Sequence, residues 1–221
     1  MDREDLNLED NLRALEDLRR TNRWLLGYGP VIRTLLPLLH QGQTVLDVGA
    51  GMGDVGAALA RAARRRGRPV RMVAVDFKLR HLAHGRRPFP DQLRVVASAE
   101  ALPFATGSVD WSFSSLFFHH FDGATNRRIL SEMERVSSAG VAVVDLLRSR
   151  LLSSFIRPLL RWVLRAGPVA TFDGTLSVAQ SWTWPALQQL TQDLPGARLV
   201  RRFPFRFALV LPPGRAGGEK T

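Results

Sequence analysis

The sequence predicts an α/β fold in which helices cover both faces of a mostly parallel sheet. Three observations carry this expectation. Short β-rich apolar runs alternate with helix-favouring segments through the middle of the chain. The first of these runs leads directly into a glycine-rich loop and then a helix. The 221 residues, 45% hydrophobic and 23% charged, suffice for one globular core without a disulfide or metal staple.

Taken in order, Leu8, Leu12, Leu15 and Leu18 recur at helical spacing between about Leu6 and Arg20, predicting an amphipathic helix. Gly27 and Gly29-Pro30 break it, and a second helix is expected from Val31 to about His40, so residues 1–41 form a helical cap. Thr44-Val45-Leu46-Asp47-Val48 reads as a short buried strand. After the glycine loop, Ala57 to Ala63 favours helix and Val70 to Val75 favours strand, completing a βαβ unit. Further strands are expected near Leu93 to Ala97, Val109 to Ser114 and Val141 to Asp145, with a helix from about Thr125 to Val136, giving a core over 44–145. Leu151, Leu152, Phe155, Ile156, Leu159, Leu160, Trp162, Val163 and Leu164 form a broad apolar surface. Arg157, Arg161 and Arg165 interrupt it at helical spacing, so an insertion at 146–172 reads as a cationic amphipathic helix. Ala197 to Arg202 and Arg206 to Leu211, on either side of Pro204, predict a terminal β pair, and 212–221 a disordered tail.

Gly49, Gly51 and Gly53 lie between the first strand and its helix, where the backbone can approach a nucleotide and helix N-terminal amides can face it. Gly51-Met52-Gly53-Asp54-Val55-Gly56 also fits the G-x-G-x-x-G pattern of dinucleotide enzymes, so the glycines alone do not separate cofactor classes. Asp47 separates them. An anion two residues before the first glycine repels a pyrophosphate but suits the positive ammonium and sulfonium of S-adenosylmethionine. Asp76 closes the second strand, where a carboxylate can accept both ribose hydroxyls.

Together with Val75-Asp76, Ala99-Glu100-Ala101-Leu102-Pro103-Phe104, Gly107-Ser108-Val109-Asp110 and Ser114-Ser115-Leu116-Phe117-Phe118-His119-His120, the loop resembles the class I S-adenosylmethionine-dependent methyltransferases over about Thr44 to Asp145. The resemblance is to the branch that includes quinone C-methyltransferases and natural-product O-methyltransferases. It implies a Rossmann-like, seven-stranded, mostly parallel sheet with an antiparallel edge strand, and N-terminal helices plus the insertion as a lid. It implies S-adenosylmethionine as cofactor, bound by Asp47, Gly49, Gly51, Gly53, Asp76, Phe77, Ser98, Ala99, Glu100 and Ser115, with Arg23, Trp24 and Tyr28 as lid contacts. Ser98 stands where relatives carry an aspartate that bonds the adenine amino group, and its hydroxyl lacks charge assistance. Ser137-Ser138-Ala139 replaces the usual Arg-Pro-Gly turn.

The sulfonium methyl is already electrophilic, so the protein must align the acceptor, exclude water and, for some acceptors, remove a proton. His119 and His120 follow the fourth core strand and Asp145 ends the fifth, the positions of the proposed bases in sugar O-methyltransferases resembling this chain. Phe113, Phe117 and Phe118 stand near the pair, and core packing accounts for them as well as a pocket does. The expected reaction is methyl transfer to a small lipophilic aromatic or natural-product hydroxyl, in secondary metabolism. C-methylation of a quinol ring and RNA methylation are the alternatives.

A net charge of +11 invites a nucleic-acid partner, but it is almost all arginine spread over several helices, with lysine only at Lys78 and Lys220. No cysteine is present for covalent attack on a pyrimidine, and no Asn/Asp-Pro-Pro-aromatic motif, so a nucleic-acid substrate is not expected. A nicotinamide oxidoreductase is disfavoured, because Tyr28 is the only tyrosine and no Tyr-x-x-x-Lys pair exists. A non-catalytic partner subunit is left open by Ser98. No metal is expected, since one carboxylate stands near 119–122. The acidic start Met1-Asp2-Arg3-Glu4-Asp5 and the lack of a long apolar run predict a cytoplasmic protein, with peripheral membrane contact through the arginine-rich helix as an option. The sequence does not fix the oligomeric state.

Overall fold

The structure, a computed structural model, describes residues 16–17, 27–163 and 167–213. The strands are β1 (Thr44–Val48), β2 (Arg71–Asp76), β3 (Gln92–Val96), β4 (Val109–Ser115), β5 (Ser137–Leu146), β6 (Arg198–Arg202) and β7 (Arg206–Leu211). They form one sheet in the order β3-β2-β1-β4-β5-β7-β6. The first five run parallel, and β7 is antiparallel both to β5 and to the outer strand β6. The seven-stranded Rossmann-like sheet is therefore as expected, with the antiparallel strand one place in from the margin.

Strand order reverses between β1 and β4, which opens a crevice at the carboxyl ends of the parallel strands. Alternate residues of β1 face opposite layers. Leu46 and Val48 pack with Ile129, Leu130 and Met133 on one side, whereas Val45 packs with Val31, Leu35 and Leu59 on the other. Each fully buried branched side chain contributes about 1.5–3 kcal/mol, and the two-sided burial explains why the strands read as nearly continuous apolar runs.

Among the described residues the helices are α1 (Tyr28–Leu35), α2 (Asp54–Arg65), α3 (Leu79–Gly85), α4 (Gly123–Val136), α5 (Arg150–Pro158), α6 (Pro168–Gln180) and α7 (Trp184–Gln192). Helix α2 carries Asp54 in its first turn and Arg64 and Arg65 in its last, complementing the helix dipole at both ends. Asp122 caps α4 by accepting from the Thr125 amide at 2.7 Å.

The insertion differs from the single helix expected. Ser149 caps α5, which ends at Pro158, a residue without an N–H to extend the ladder. A wide turn over Leu159–Val163 follows, and α6 then carries the helical segment to Gln180, beyond the expected limit at 172. Leu152, Ile156 and Leu160 are buried, while Arg157 and Arg161 face solvent. Part of the apolar stripe thus faces inward, whereas Leu151, Trp162 and these two arginines face solvent. Helices α3, α6 and α7 were not anticipated from the sequence. Arg23, Trp24, Leu164, Arg165, most of the expected helix at 6–20 and residues 214–221 of the expected tail lie outside the described residues.

Candidate active site

A cavity of about 680 Å³ lies at the carboxyl ends of the strands, under α5 and α6. Its volume is in the range of about 300–1,000 Å³ that small-molecule sites occupy. One half is built from the turns after β1, β2 and β3. The other is built from the turn after β4, the end of β5, the start of β7 and the insertion.

In the first half, Gly49 and Gly51 line the cavity with positive φ of 73° and 56°, where any side chain would be strained. A Cβ on Gly49 would fall 2.4 Å from the Phe117 ring, so the loop and the turn after β4 touch only because that side chain is missing. A Cβ on Gly51 would meet nothing within 4 Å, which leaves its backbone open to a ligand. Gly53 does not line the cavity. It opens α2, and its carbonyl accepts from Gln92 Nε2 at 2.7 Å.

Asp76 lines the cavity with its carboxylate already ordered. Oδ2 accepts the Gly51 amide at 2.8 Å, Oδ1 accepts the Lys78 amide at 2.9 Å, and His81 Nδ1 lies 3.3 Å away. Each oxygen keeps lone-pair capacity for a hydroxyl. Phe77, next in sequence, is 74% exposed and forms part of the wall, as do Ser98, Ala99, Glu100 and Ser115. Ser98 Oγ accepts the Glu100 amide at 3.2 Å, and Glu100 is bonded by Arg128 Nε at 2.6 Å.

Asp47 sits behind the loop instead of in the cavity wall, buried and accepting the Gly56 amide at 3.2 Å. Burial first, then the charges of Asp54 and Asp76, push its carboxyl well above the usual value, against the opposing Gly56 bond. Asp54 itself lines the cavity and accepts a 2.7 Å bond from Tyr28 Oη, which places Tyr28 at the rim through another residue. Asp54 and Asp76 thus bring two carboxylates to the cavity wall at the glycine loop, with Asp47 buried behind it.

In the second half, the turn Phe118–His120 brings both histidines to the cavity. Leu116, just before it, holds a positive φ of 56°, an unusual strain for a branched-chain residue at a functional edge. Asp145 Oδ1 lies 2.7 Å from His119 Nδ1, and Oδ2 accepts the His119 amide at 3.1 Å. Because a carboxylate accepts, Nδ1 carries the proton and Nε2 keeps a lone pair. Nε2 has no partner and almost no exposed surface. The exposed ring of His120 packs 4.1 Å from it between centroids.

Asp145 is fully buried. Burial pushes its carboxyl up, but His119 and the amides of His119 and Leu146 outweigh this and hold it below the usual value. This sequence-predicted catalytic candidate therefore orients a neighbour and does not face the cavity itself. Of the three aromatic residues near the histidines, Phe117 lines the cavity, while Phe113 and Phe118 belong to the core. Arg206, His81 and Asp54, which the sequence reading passed over, all line it. Asp54 directly follows the glycine loop and could have been found from that position. Among the described residues, no cluster of histidine or acidic side chains could hold a metal, and no helix is long and apolar enough to cross a membrane.

Residues 45–140 match the methyltransferase domain family. The chain is 36% identical over 103 residues to a demethylmenaquinone methyltransferase of Renibacterium salmoninarum, covering 47% of this chain and 40% of that one. It is 37% identical over 103 residues to a protein of the same name from Beutenbergia cavernae, with the same coverage. The chain thus spans 40% of the length of either curated relative. In fold it is similar to a SAM-dependent methyltransferase from Aquifex aeolicus, with a TM-score of 0.63 at 17% identity over 95% of this chain and all of the other.

Proposed function

Because the chain belongs to the class I S-adenosylmethionine-dependent methyltransferases, we propose that it transfers a methyl group to a hydroxyl oxygen of a small, lipophilic aromatic or natural-product acceptor, with His119 taking the hydroxyl proton. The observation that carries this reading is that His119, held from behind by Asp145, lines the same cavity as the glycine loop.

When bound, S-adenosylmethionine supplies an electrophilic methyl on a positive sulfur. The residues present fit it: an open backbone at Gly51, a ready carboxylate at Asp76 and a second acid, Asp54, on the cavity wall beside the loop. Gly49 and Gly51 would let the ligand lie against the backbone, Asp76 would accept the ribose hydroxyls, and Phe77, Ser98 and Ala99 would flank the base. Across the cavity, Asp145 holds the His119 ring so that Nε2 is the basic atom. His119 Nε2 would accept the acceptor's hydroxyl proton, and the bound S-adenosylmethionine would supply the methyl that takes its place on oxygen. A hydroxyl would reach Nε2 by displacing the packing around it, which includes the His120 ring. Leu152, Ile156 and Leu160 supply an apolar roof that excludes water.

C-methylation of a quinol ring is the second reading, favoured by the similarity to proteins named demethylmenaquinone methyltransferase. The same histidine would then take a phenolic proton while carbon attacks. Trp162 and Leu151, exposed on the insertion beside Arg157 and Arg161, support contact with a membrane surface that delivers a lipophilic acceptor. The test is turnover of labelled S-adenosylmethionine with a panel of phenols and quinols, with product mass and NMR locating the methyl. Label on oxygen supports the first reading, label on ring carbon the second, and no transfer to any member removes both.

A further inference from the structure

We propose that Arg206 binds a carboxylate on the methyl acceptor, which makes the preferred substrate an aromatic or aliphatic acid with an apolar body. The inference rests on the methyl-transfer reading and narrows its substrate class.

Arg206 opens β7 and is the register partner of Leu146, so it stands at the sheet edge beside the Asp145–Leu146 corner and lines the cavity. It is 8% exposed. Arginine is rarely so buried without partners, because leaving five N–H donors unmet is costly. Two half-buried arginines make the contrast, each with several bonds, although Arg94 Nε keeps no partner. Arg94 bonds the carbonyls of Gln92, Gly85 and Phe89, and Arg135 bonds Glu132 and the carbonyls of Leu102 and Phe104. Among the described residues, no hydrogen bond or ion pair engages the Arg206 guanidinium.

Among the described residues, Asp145 is the carboxylate whose charge acts on it, and its oxygens are already taken by the His119 ring, the His119 amide and the Leu146 amide. Burial brings the guanidinium down to about 10, which leaves it charged at neutral pH. A planar carboxylate can accept two parallel bonds from such a group. The position also selects between ligands. At a strand spacing of about 4.8 Å, β7 lies about 14 Å from β1, so Arg206 is on the acceptor side and away from the glycine loop. Leu146, Leu152 and Ile156 line the cavity with it and fit the apolar body of the acid.

The test is calorimetric binding of 2-naphthoate, methyl 2-naphthoate and 2-naphthol to the full chain saturated with S-adenosylhomocysteine. The wild type should prefer the acid over its ester by roughly tenfold to a hundredfold, as expected for a charge-assisted pair. Arg206→Met should abolish that preference and Arg206→Lys should keep part of it. An acid that binds no better than its ester to the wild type overturns the proposal, as does a preference that survives in Arg206→Met. Failure of the wild type to bind S-adenosylhomocysteine would instead defeat the underlying methyl-transfer reading.

Discussion

His119 and Asp145 are joined twice, ring nitrogen to one carboxylate oxygen at 2.7 Å and backbone amide to the other at 3.1 Å. The double attachment fixes the position of the turn as well as the tautomer of the ring. A residue from the turn after β4 and one from the end of β5 therefore act as a unit.

If that unit delivers the base, His119→Ala should lower kcat by about 10²–10⁴-fold, the usual contribution of a positioned base. S-adenosylhomocysteine affinity should hardly change. His120→Ala should cost far less. Steady-state kinetics beside calorimetry checks this, and equal losses in both variants would reassign the base.

Asp145 gives a pH signature. Its carboxyl is held below the usual value in the folded state, so the stability it contributes is present above the unfolded value of about 3.9 and is lost as pH falls through the folded one. Asp145→Asn should cost about 1–3 kcal/mol at neutral pH, the penalty for an unmet buried partner. The gap from wild type should narrow as pH drops below about 4. Urea melts across pH would show it, and a constant gap would contradict it.

Asp47 has the opposite sign. Burial and neighbouring acids raise its carboxyl, so it costs stability at neutral pH and that cost fades on acidification. Asp47→Asn should raise the Tm of the ligand-free protein by roughly 2–4 °C, about 1 kcal/mol at this size. It should also reduce the preference for S-adenosylmethionine over S-adenosylhomocysteine, which lacks the sulfonium charge. Thermal melts and competition binding test the two halves separately.

Gly49 and Gly51 should differ in kind. Both pay for a left-handed backbone once substituted, about 1–3 kcal/mol. Gly49→Ala additionally drives a methyl into the Phe117 ring and should unfold the turn contact. Gly51→Ala meets open space, so it should fold but bind S-adenosylhomocysteine at least tenfold more weakly, roughly 1.4 kcal/mol. Circular dichroism and calorimetry on both variants distinguish the outcomes.

The parallel core was legible because strands buried on both faces leave nearly continuous apolar runs, as in Met72 to Val75, and because Asp47 and Asp76 stand at or next to strand ends. Helix α3 was not legible, since Leu79-Arg80-His81-Leu82-Ala83-His84-Gly85 is short and polar and owes its place to tertiary contacts. The break in the insertion hinges on Pro158, hidden within an otherwise continuous apolar stripe. Asp47 was read as facing the ligand because strand position does not reveal which layer a side chain enters. Arg206 escaped notice among many surface arginines, because only the register of β7 against β5 shows that this one points inward.

The reversal of strand order between β1 and β4 also divides the gene. Most residues on the sulfur side of the crevice precede position 101, whereas the histidine turn, the roof and Arg206 all follow position 108. The intervening stretch is a mostly exposed turn. If the two sides hold donor and acceptor as proposed, a single crossover there would exchange one without the other, so hybrids spliced at this seam offer a short route to new products.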